Sequence, residues 1–374
     1  MSKNYYLIGA GLFNCVLARL LADQGNMVTV FEKRNHIGGN CFDLVDQNTG
    51  IRYHKYGPHI FHYKNRKFFE FISKFGEFEA YHHSVKSVFC EKKYPIPINL
   101  ETINSFYGVN LRPYQVMDFI KTKCDSITNP RNMEEKLLSM IGRDLYEAFF
   151  KNYTKKQWET EPCNLPASTI QRIPVRANYD SSYYAKPYSS IPVKGYTEII
   201  NNMINHENIS ISLNNDIKLE QLIKLSKSGV CVYTGSLDRL FHSKFGDLPY
   251  RSLKFEIEYY NVNDYQGASV INYPEDKYEW TRICEPSHFP HIENRNKHPY
   301  KTMIIKEYSK WCKCDDDPYY PINDVYNINL YNKYKNELIK TGNIYPGGRL
   351  GMYSYTDMEN TIDNAFKLFG ELND

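Results

Sequence analysis

The first 32 residues carry a strand, a glycine turn, a helix and a second strand, and this order constrains the fold more than any other feature. Residues 5–8 are apolar, residues 12–22 place apolar side chains at helical intervals, and residues 27–31 are β-rich. Gly9 and Gly11 lie in the first turn. A helix that connects two strands in this way gives a parallel pair, so the pattern predicts a Rossmann-type unit.

Glu32 ends the second strand, 21 residues after Gly11. Glycines in such a turn let backbone amides approach a pyrophosphate, and an acid at this distance accepts hydrogen bonds from ribose hydroxyls. An acid favours a free 2′-hydroxyl, as in FAD or NAD. Asn14 stands where the fingerprint has its third glycine. We predict a dinucleotide site here, and an accidental turn is the alternative.

Paired glycines, Gly38 and Gly39, follow the charged end of the second strand. Two interpretations are open for this segment. It is either a solvated loop with a Gly-Gly turn, or a second stretch of backbone that presses against an extended cofactor. FAD is long enough to need that second surface.

The rest of the chain alternates between helical and strand-like patterns. Helical spacing recurs at residues 65–75, 132–153 and 357–369, and strand patterns occur at 209–213, 230–233 and 251–285. Residues 85–97 alternate but carry prolines, so we predict an edge strand or a loop there. Asp357 stands where the N-cap of the last helix belongs.

These patterns predict an α/β protein in which a Rossmann-type nucleotide-binding domain is discontinuous and is interrupted by a helical insert and an antiparallel β-sheet domain, an arrangement that would be typical of an FAD-binding protein. The predicted boundaries are 1–80, 190–250 and 340–374 for the FAD-binding domain, 100–165 for the helical substrate domain, and 81–99, 166–189 and 251–339 for the sheet domain.

Composition excludes several functional classes. The chain has 46 Lys and Arg against 43 Asp and Glu, a net charge of +3, which gives no electrostatic footprint for nucleic acid. Its mean hydropathy is −0.58, and no apolar run approaches the roughly 18 residues of a membrane span. Nine scattered cysteines and a start without a signal-peptide pattern predict a cytoplasmic protein with reduced thiols.

Common catalytic and metal motifs are missing from the sequence. His54, His59 and His62 lie among aromatics without a zinc-site spacing, and Cys312 and Cys314 have no second pair, so we predict no metal and a solvated loop around residues 312–317. There is neither a GxSxG nor a P-loop. If the protein is an enzyme, its chemistry belongs to the cofactor.

Taken together, the sequence blocks resemble bacterial UDP-galactopyranose mutases over essentially the whole chain. The matching blocks include EKRNHIGGN at 32–40, KYGPHIFH at 55–62, YTKKQW at 153–158, RIPVR at 172–176 and GGRL at 347–350. The resemblance implies an isomerase that uses reduced FAD to interconvert pyranose and furanose forms of a UDP-sugar through a flavin N5–sugar adduct. It further implies a homodimer, a reductant such as NAD(P)H, and furanose donors for capsule or lipopolysaccharide.

The same resemblance implies roles for individual residues. Catalytic roles fall on Arg172, Arg282 and His62. Cofactor contacts fall on Gly9, Gly11, Phe13, Glu32, Arg34, Gly39, Asn40, His59, Ile60, Arg349, Asp357 and Met358. Substrate contacts fall on His83, Phe149, Tyr153, Trp158, Arg172, Tyr183, Asn272, Arg282, Tyr320 and Tyr355. The residues alone leave another interpretation open for three of these positions. Phe149 can instead be a core residue, and each of the two arginines can instead be a surface charge.

Some positions depart from the family pattern. His83 stands where asparagine is usual, Glu159 where glycine is usual, Tyr63 where threonine is usual, and Thr356 where an aromatic is common. We hypothesise that the sugar is an N-acetylated, deoxy or pentose variant, with UDP-galactose itself as the other reading. An amine-oxidase-like flavoprotein that oxidises a small substrate, and a non-catalytic sensor, are the alternative functions.

Overall fold

The structure is a computed structural model that describes residues 3–170 and 175–373. Its strands are β1 (Asn4–Ile8), β2 (Met27–Phe31), β3 (Asp43–Val45), β4 (Arg52–His54), β5 (Phe61–Tyr63), β6 (Phe78–Ala80), β7 (Val85–Phe89), β8 (Lys92–Ile96), β9 (Tyr188–Pro192), β10 (Ile209–Ser212), β11 (Val230–Tyr233), β12 (Tyr250–Tyr260), β13 (Val270–Asn272), β14 (Arg282–Cys284), β15 (Thr302–Trp311), β16 (Tyr320–Pro321) and β17 (Ile344–Pro346).

The helices are α1 (Leu12–Asp23), α2 (Arg66–Ile72), α3 (Leu100–Tyr107), α4 (Pro113–Lys121), α5 (Met133–Tyr146), α6 (Asn152–Trp158), α7 (Tyr196–Ile204), α8 (Leu219–Ser226), α9 (Leu237–Leu240), α10 (Ile292–Arg295), α11 (Val325–Thr341), α12 (Gly348–Gly351) and α13 (Met358–Asn373). Within the described ranges, no helix is long and apolar enough to cross a membrane.

Five parallel strands in the order β10-β2-β1-β11-β17 form the centre of the Rossmann-type unit. Alternating residues of β1 point to opposite faces, so Leu7 packs with α1, α7 and α13, and Ile8 packs with α8, α9 and α11. The strands come from both ends and the middle of the chain. The predicted α/β fold with a discontinuous Rossmann-type unit is confirmed.

A second sheet has seven strands in the order β16-β12-β15-β14-β13-β7-β8. Its neighbours are antiparallel except for β13 and β7, which are parallel. Residues 85–97, for which we predicted an edge strand or a loop, form a β-hairpin. β8 is the strand of this hairpin that lies at the edge of the sheet. Cys90 and Glu91 form the turn with φ of 47° and 63°, a conformation usually marked by Asn-Gly, so the sequence carries no turn signal there.

The region predicted to be helical over residues 132–153 is interrupted at Gly142, whose φ and ψ are 76° and 172°. A Cβ at this position would lie 2.3 Å from the carbonyl oxygen of Lys123. A π-helical turn, Glu147–Lys151, then leads into α6. The apolar face itself is as predicted, since Leu137 and Leu145 are buried in the core of the helical segment.

The carboxyl ends of the parallel strands define where a ligand can bind, because ligands of open α/β sheets lie in the crevice beyond those ends. β1, β2 and β11 end next to Gly9, Glu32 and Thr234. The last helix, α13, begins as predicted, with the Asp357 carboxylate accepting the Asn360 N–H at 2.9 Å. The predicted domain boundaries stay a prediction.

Candidate functional site

The glycine turn after β1 is fixed by its close approach to β11. Gly9 has φ of 99°, and a Cβ there would lie 2.1 Å from Thr234 Oγ1. Gly11 differs, since a Cβ would meet no atom within 4 Å. It is the N-cap of α1, and within the described residues no side chain caps that helix. The turn therefore leaves open space directly in front of uncapped helical amides, which suits an anion.

Asn14, which replaces the third glycine of the fingerprint, holds this turn together. Its side chain is fully buried and donates to the carbonyl oxygens of Ile8 at 3.1 Å and Gly9 at 2.8 Å. The larger residue thus satisfies the backbone of the turn rather than blocking it.

Glu32 lies at the other side of the turn and is 5% exposed. Its Oε2 accepts the Ala10 N–H at 2.7 Å, and its Oε1 accepts the Arg34 N–H at 2.9 Å. Each carboxylate oxygen keeps a further acceptor position, so Glu32 can still bind a ribose hydroxyl.

A cleft of about 690 Å³ opens in front of the turn, a volume in the range of cofactor pockets. Ten of the twelve predicted cofactor residues line it. They are Gly9, Gly11, Phe13, Glu32, Arg34, Gly39, Asn40, His59, Arg349 and Met358. The open space at Gly11, the uncapped amides and the buried acid together fit a bound dinucleotide.

Two predicted cofactor residues do not line the cleft. Ile60 is buried in the apolar cluster beneath the seven-stranded sheet. Asp357 caps α13 and pairs with Lys186 Nζ at 2.8 Å, and Lys186 also pairs with Glu359 at 2.6 Å. Although burial alone would raise the pKa of Asp357, Lys186 and the nearby His62 are among the groups that hold it below its usual value. The assignment of Asp357 to the cofactor stays a prediction.

The acidic run after Cys314 is partly engaged at the cleft rim, contrary to the predicted solvated loop. Asp317 pairs with Arg34 at 2.9 Å and with Lys33 at 3.5 Å. Arg34 lies over the Tyr56 ring, 4.6 Å from its centroid. The segment lines the cleft because these pairs draw it onto the end of β2.

A polar row crosses one face of the seven-stranded sheet. Ser87, Asn272, Arg282 and Glu307 are register partners on β7, β13, β14 and β15 and so share a face. Two residues further along these strands, the side chains on the same face are apolar, and they belong to the cluster around Phe289. The sheet thus presents one band of polar side chains beside a hydrophobic floor.

Arg282 is held in this row by Glu307, which the sequence prediction missed. The Glu307 Oε2 accepts from Arg282 Nε at 2.9 Å and from Nη2 at 2.7 Å, and Glu307 is 3% exposed. Burial by itself lowers the pKa of Arg282, but Glu307 and the tyrosines Tyr153 and Tyr320 raise it well above its usual value. The guanidinium is charged, and one of its edges is already occupied.

Tyrosines surround Arg282. Burial raises the pKa of Tyr153, Tyr183 and Tyr320, while the Arg282 charge acts in the opposite direction on all three. Their hydroxyls are therefore protonated at neutral pH and can donate hydrogen bonds. Tyr355 joins the group through Arg349, whose guanidinium lies 4.8 Å from the Tyr355 ring centroid. Arg349 also lines the cleft, so the tyrosine cluster and the cleft adjoin.

Three of the predicted site residues are histidines: His59, His62 and His83. His59 is held in place by His54. His59 Nδ1 lies 2.7 Å from the Gly57 carbonyl and so donates to it, which leaves Nε2 as an acceptor. Burial lowers the pKa of His59 to about 4, and Arg349 and Arg282 act in the same direction. The His59 N–H donates to His54 Nδ1 at 2.9 Å, which fixes the loop that presents the ring.

His83 and His62 both pack against the ring of Tyr184. His62 stacks on Tyr184 with centroids 3.8 Å apart, and His83 lies 5.6 Å from both Tyr184 and Tyr183. Burial lowers the pKa of His83 to about 3, and Arg282 acts in the same direction. His83 is thus a neutral ring in a buried aromatic wall.

The remaining predicted substrate residues divide into two groups. Tyr153 and Trp158 lie on α6, with Trp158 as its last residue. Phe149 is buried against Phe89 and Tyr94 in the helical core, so the structure favours the core reading of this residue. Arg172 lies outside the described residues.

The arrangement combines an extended cleft with an adjoining anion site. The cleft suits a dinucleotide, and the Arg282 guanidinium with its protonated tyrosines suits a diphosphate. Sequence reasoning missed Glu307 and Lys186. Both lie in unremarkable stretches without a motif.

Comparisons with known proteins agree with this geometry. A model of the UDP-galactopyranose mutase family matches residues 148–355, and a model of NAD(P)-binding Rossmann-like domains matches residues 7–75. The crystal structure of a reduced UDP-galactopyranose mutase superposes with a TM-score of 0.77 over 100% of this chain and 94% of its own, at 15% identity. That likeness shows the fold.

Two curated relatives match along nearly their full lengths. The dTDP-fucopyranose mutase of Escherichia coli is 38% identical over 96% of this chain and 96% of its own. A probable UDP-galactopyranose mutase of Klebsiella pneumoniae is 40% identical over 99% of this chain and 94% of its own. The two relatives differ in both the nucleotide and the sugar of their names.

Proposed function

The chain belongs to the UDP-galactopyranose mutase family of isomerases, and from this premise we propose that it interconverts the pyranose and furanose forms of a nucleotide sugar with reduced FAD as its cofactor. The observation that carries the proposal is a charged, Glu307-held Arg282 among protonated tyrosines, beside a cleft that fits a dinucleotide. An oxidase of small amines has no use for such a diphosphate site.

The cleft residues would hold FAD along its length. The Gly11 turn and the first amides of α1 line the cleft and would face the pyrophosphate, and Glu32 would accept from the adenosine ribose. His59 and Arg349 line the part of the cleft nearest the tyrosine cluster, where the isoalloxazine would lie. When bound in its reduced state, FAD supplies N5 as a nucleophile toward the anomeric carbon of the sugar.

Arg282 would bind the diphosphate of the substrate. Glu307 occupies the Nε–Nη2 edge of the guanidinium, which leaves the Nη1 donors for a phosphate oxygen. When the bond between the anomeric carbon and the diphosphate breaks, negative charge grows on the leaving oxygens. Arg282 and the hydroxyls of Tyr153, Tyr183 and Tyr320 stabilise that charge, because they are preorganised donors in a buried site.

Neutral histidines would contact the sugar without adding charge. Because His59 and His83 carry lowered pKa values of about 4 and about 3, each has an imidazole nitrogen that can accept from a hydroxyl at neutral pH. We assign His62, which stacks on Tyr184, to the sugar-binding part of the site as well. Tyr153 and Trp158 on α6 would contact the nucleotide base and ribose.

We propose a sugar other than plain galactose, and a 6-deoxy sugar in particular. His83 and Tyr184 form a stacked aromatic wall in which His83 is 4% exposed. The flat faces of these packed rings suit a methyl group, which needs no hydrogen-bond partner. The E. coli relative named for dTDP-fucopyranose supports this choice.

The test is turnover by the FAD-loaded protein after anaerobic reduction with dithionite. UDP-galactopyranose and dTDP-fucopyranose are incubated separately, and furanose isomers are separated by chromatography. We expect furanose products, with a higher kcat/KM for dTDP-fucopyranose. An equal or higher value for UDP-galactopyranose overturns the sugar assignment alone. If the reduced protein forms no furanose product, and the protein without dithionite consumes oxygen in a parallel aerobic assay, the proposed mutase is overturned in favour of an oxidase.

A further inference from the structure

A lysine of α6 is surrounded by backbone carbonyls of a neighbouring loop. Lys156 Nζ donates to the carbonyl oxygens of Tyr273, of Glu275 at 3.1 Å, of Tyr278 at 3.0 Å and of Trp280 at 3.2 Å. An ammonium has three N–H groups, so at least one is shared between two acceptors.

The loop that encloses Lys156 joins two residues of the diphosphate site. It runs from Asn272, the last residue of β13, to Arg282, the first residue of β14. Its aromatic rings pack together, with centroids of Tyr273 and Tyr278 4.9 Å apart and those of Tyr278 and Trp280 5.4 Å apart. Converging carbonyls in such a loop repel one another unless a cation lies between them.

The helix that carries Lys156 also carries the predicted base-contacting residues Tyr153 and Trp158. Its end is tied to the sheet separately, because the Gln157 carbonyl accepts from Arg251 Nε at 3.0 Å and from Ser309 Oγ at 2.7 Å. Those contacts reach β12 and β15. Lys156 adds the direct link to the loop between β13 and β14.

We propose that Lys156 is a positioning residue that sets the distance between the base-contacting face of α6 and the diphosphate-binding Arg282. The inference rests on the proposed function, since it concerns how the two halves of one nucleotide site are kept in register. Lys156 does not touch the reacting atoms. It acts through the loop, whose two ends are Asn272 and Arg282.

Charge and burial are consistent with this role. Burial lowers the pKa of Lys156 to about 8, and Asp276 and Glu275 act in the opposite direction. Lys156 is therefore largely charged at pH 7 and can donate to all four carbonyls. Its neighbour Lys155 is exposed and pairs with Glu161 at 2.8 Å, which makes it a matched control on the same helix.

The experiment measures binding of UDP and of dTDP to the FAD-loaded protein by calorimetry at pH 7. We expect Lys156→Met to raise the dissociation constant of the preferred nucleotide about tenfold, a size typical of a lost positioning contact, with the FAD-to-protein ratio unchanged. Lys155→Met should match the wild type. Lys156→Gln, which keeps two donors, should lie between the wild type and Lys156→Met.

A double-mutant cycle with Arg282→Ala separates positioning from general damage. If Lys156 acts through the loop, Lys156→Met should raise the dissociation constant by less than about threefold once Arg282 is already alanine. The same tenfold effect in both backgrounds overturns the inference. If Lys156→Met does not retain FAD, Lys156→Gln takes its place in the cycle with the same criterion.

The outcomes distinguish the inference from the function on which it rests. A wild-type protein that binds neither UDP nor dTDP overturns the proposed function. A wild-type protein that binds one of them, with Lys156→Met indistinguishable from it, overturns only the positioning role.

Discussion

At the scale of single residues, the ion pair of Arg282 and Glu307 matters in two ways. Arg282 is the proposed phosphate ligand, and it also neutralises the buried carboxylate of Glu307. Glu307 is almost fully buried and its ion-pair partner in the described structure is Arg282. Removing the arginine leaves an uncompensated buried carboxylate, whereas removing both charges together leaves none. Loss of substrate binding and loss of stability can therefore be separated by comparing single and double variants.

Arg282→Ala should reduce kcat/KM about 30- to 150-fold, because a charge-assisted phosphate contact contributes about 2–3 kcal/mol. Steady-state kinetics of the reduced protein measure this. Arg131→Ala is the control, since Arg131 is exposed and contacts Glu135 on α5. The double variant Arg282→Met/Glu307→Gln should recover stability without recovering kcat/KM. A kcat/KM unchanged in Arg282→Ala would remove Arg282 from the substrate site.

Gly11→Ala tests the cofactor cleft with a single methyl group. The methyl meets no protein atom within 4 Å, and the φ of −78° at Gly11 suits alanine, so the fold should not change. We expect about tenfold weaker FAD binding, because crowding a packed contact by one methyl costs about 1–3 kcal/mol. Absorbance of the purified protein gives the FAD content.

Gly370→Ala is the matched control, since a Cβ there also meets nothing within 4 Å. It lies in α13, where alanine should stabilise the helix by about 0.5–1 kcal/mol. Full FAD content in Gly11→Ala would contradict a cofactor pyrophosphate at this turn.

At the scale of elements, a buried acid helps to attach the segment before β13 to the sheet. Glu285 is fully buried and accepts the backbone N–H groups of Tyr265 at 3.0 Å and Gln266 at 3.0 Å. His288 lies 3.2 Å from Asp264 and 3.6 Å from Glu285. The carboxylates of Glu285 and Asp264 beside the ring raise the pKa of His288.

His288→Gln should therefore lower stability in a pH-dependent way. A folded-state pKa above the unfolded value means that the interaction stabilises fully below the unfolded pKa and is lost as pH rises through the folded pKa. We expect the difference in thermal midpoint between wild type and His288→Gln to be larger at pH 6 than at pH 9. An equal difference at both values would show that the histidine acts through packing.

Helices and strands with a strong hydrophobic period could be predicted from the sequence. Breaks in such elements could not be predicted where no sequence signal marks them. The apolar periods of β1, α1 and β2 and the N-cap at Asp357 follow from local chemistry alone. Gly142 reads as an ordinary weak helix position, but the close approach of Lys123 demands a backbone that only glycine adopts easily. The sequence does not show this tertiary contact, so the break in the helical region of residues 132–153 could not be predicted.

At the scale of the whole molecule, the site is assembled from distant segments. The proposed cofactor cleft lies at the carboxyl ends of the parallel strands, the proposed anion site lies on the row of β7, β13, β14 and β15, and α6 contacts the loop between β13 and β14. Motifs predicted most of the cleft, since its residues lie next to the glycine turns. Glu307 and the Lys156 link could not be predicted, because their partners are far apart in the chain.

The central claim is that a reduced flavin takes part in a reaction without net oxidation. The most direct measurement follows the flavin absorbance and the furanose product together, in one anaerobic cuvette, before and after reduction with dithionite. We expect product only after reduction, many turnovers for each flavin, and a spectrum that stays reduced throughout. Product formed only by the oxidised protein, or oxidation of one flavin for each product molecule, would contradict the account.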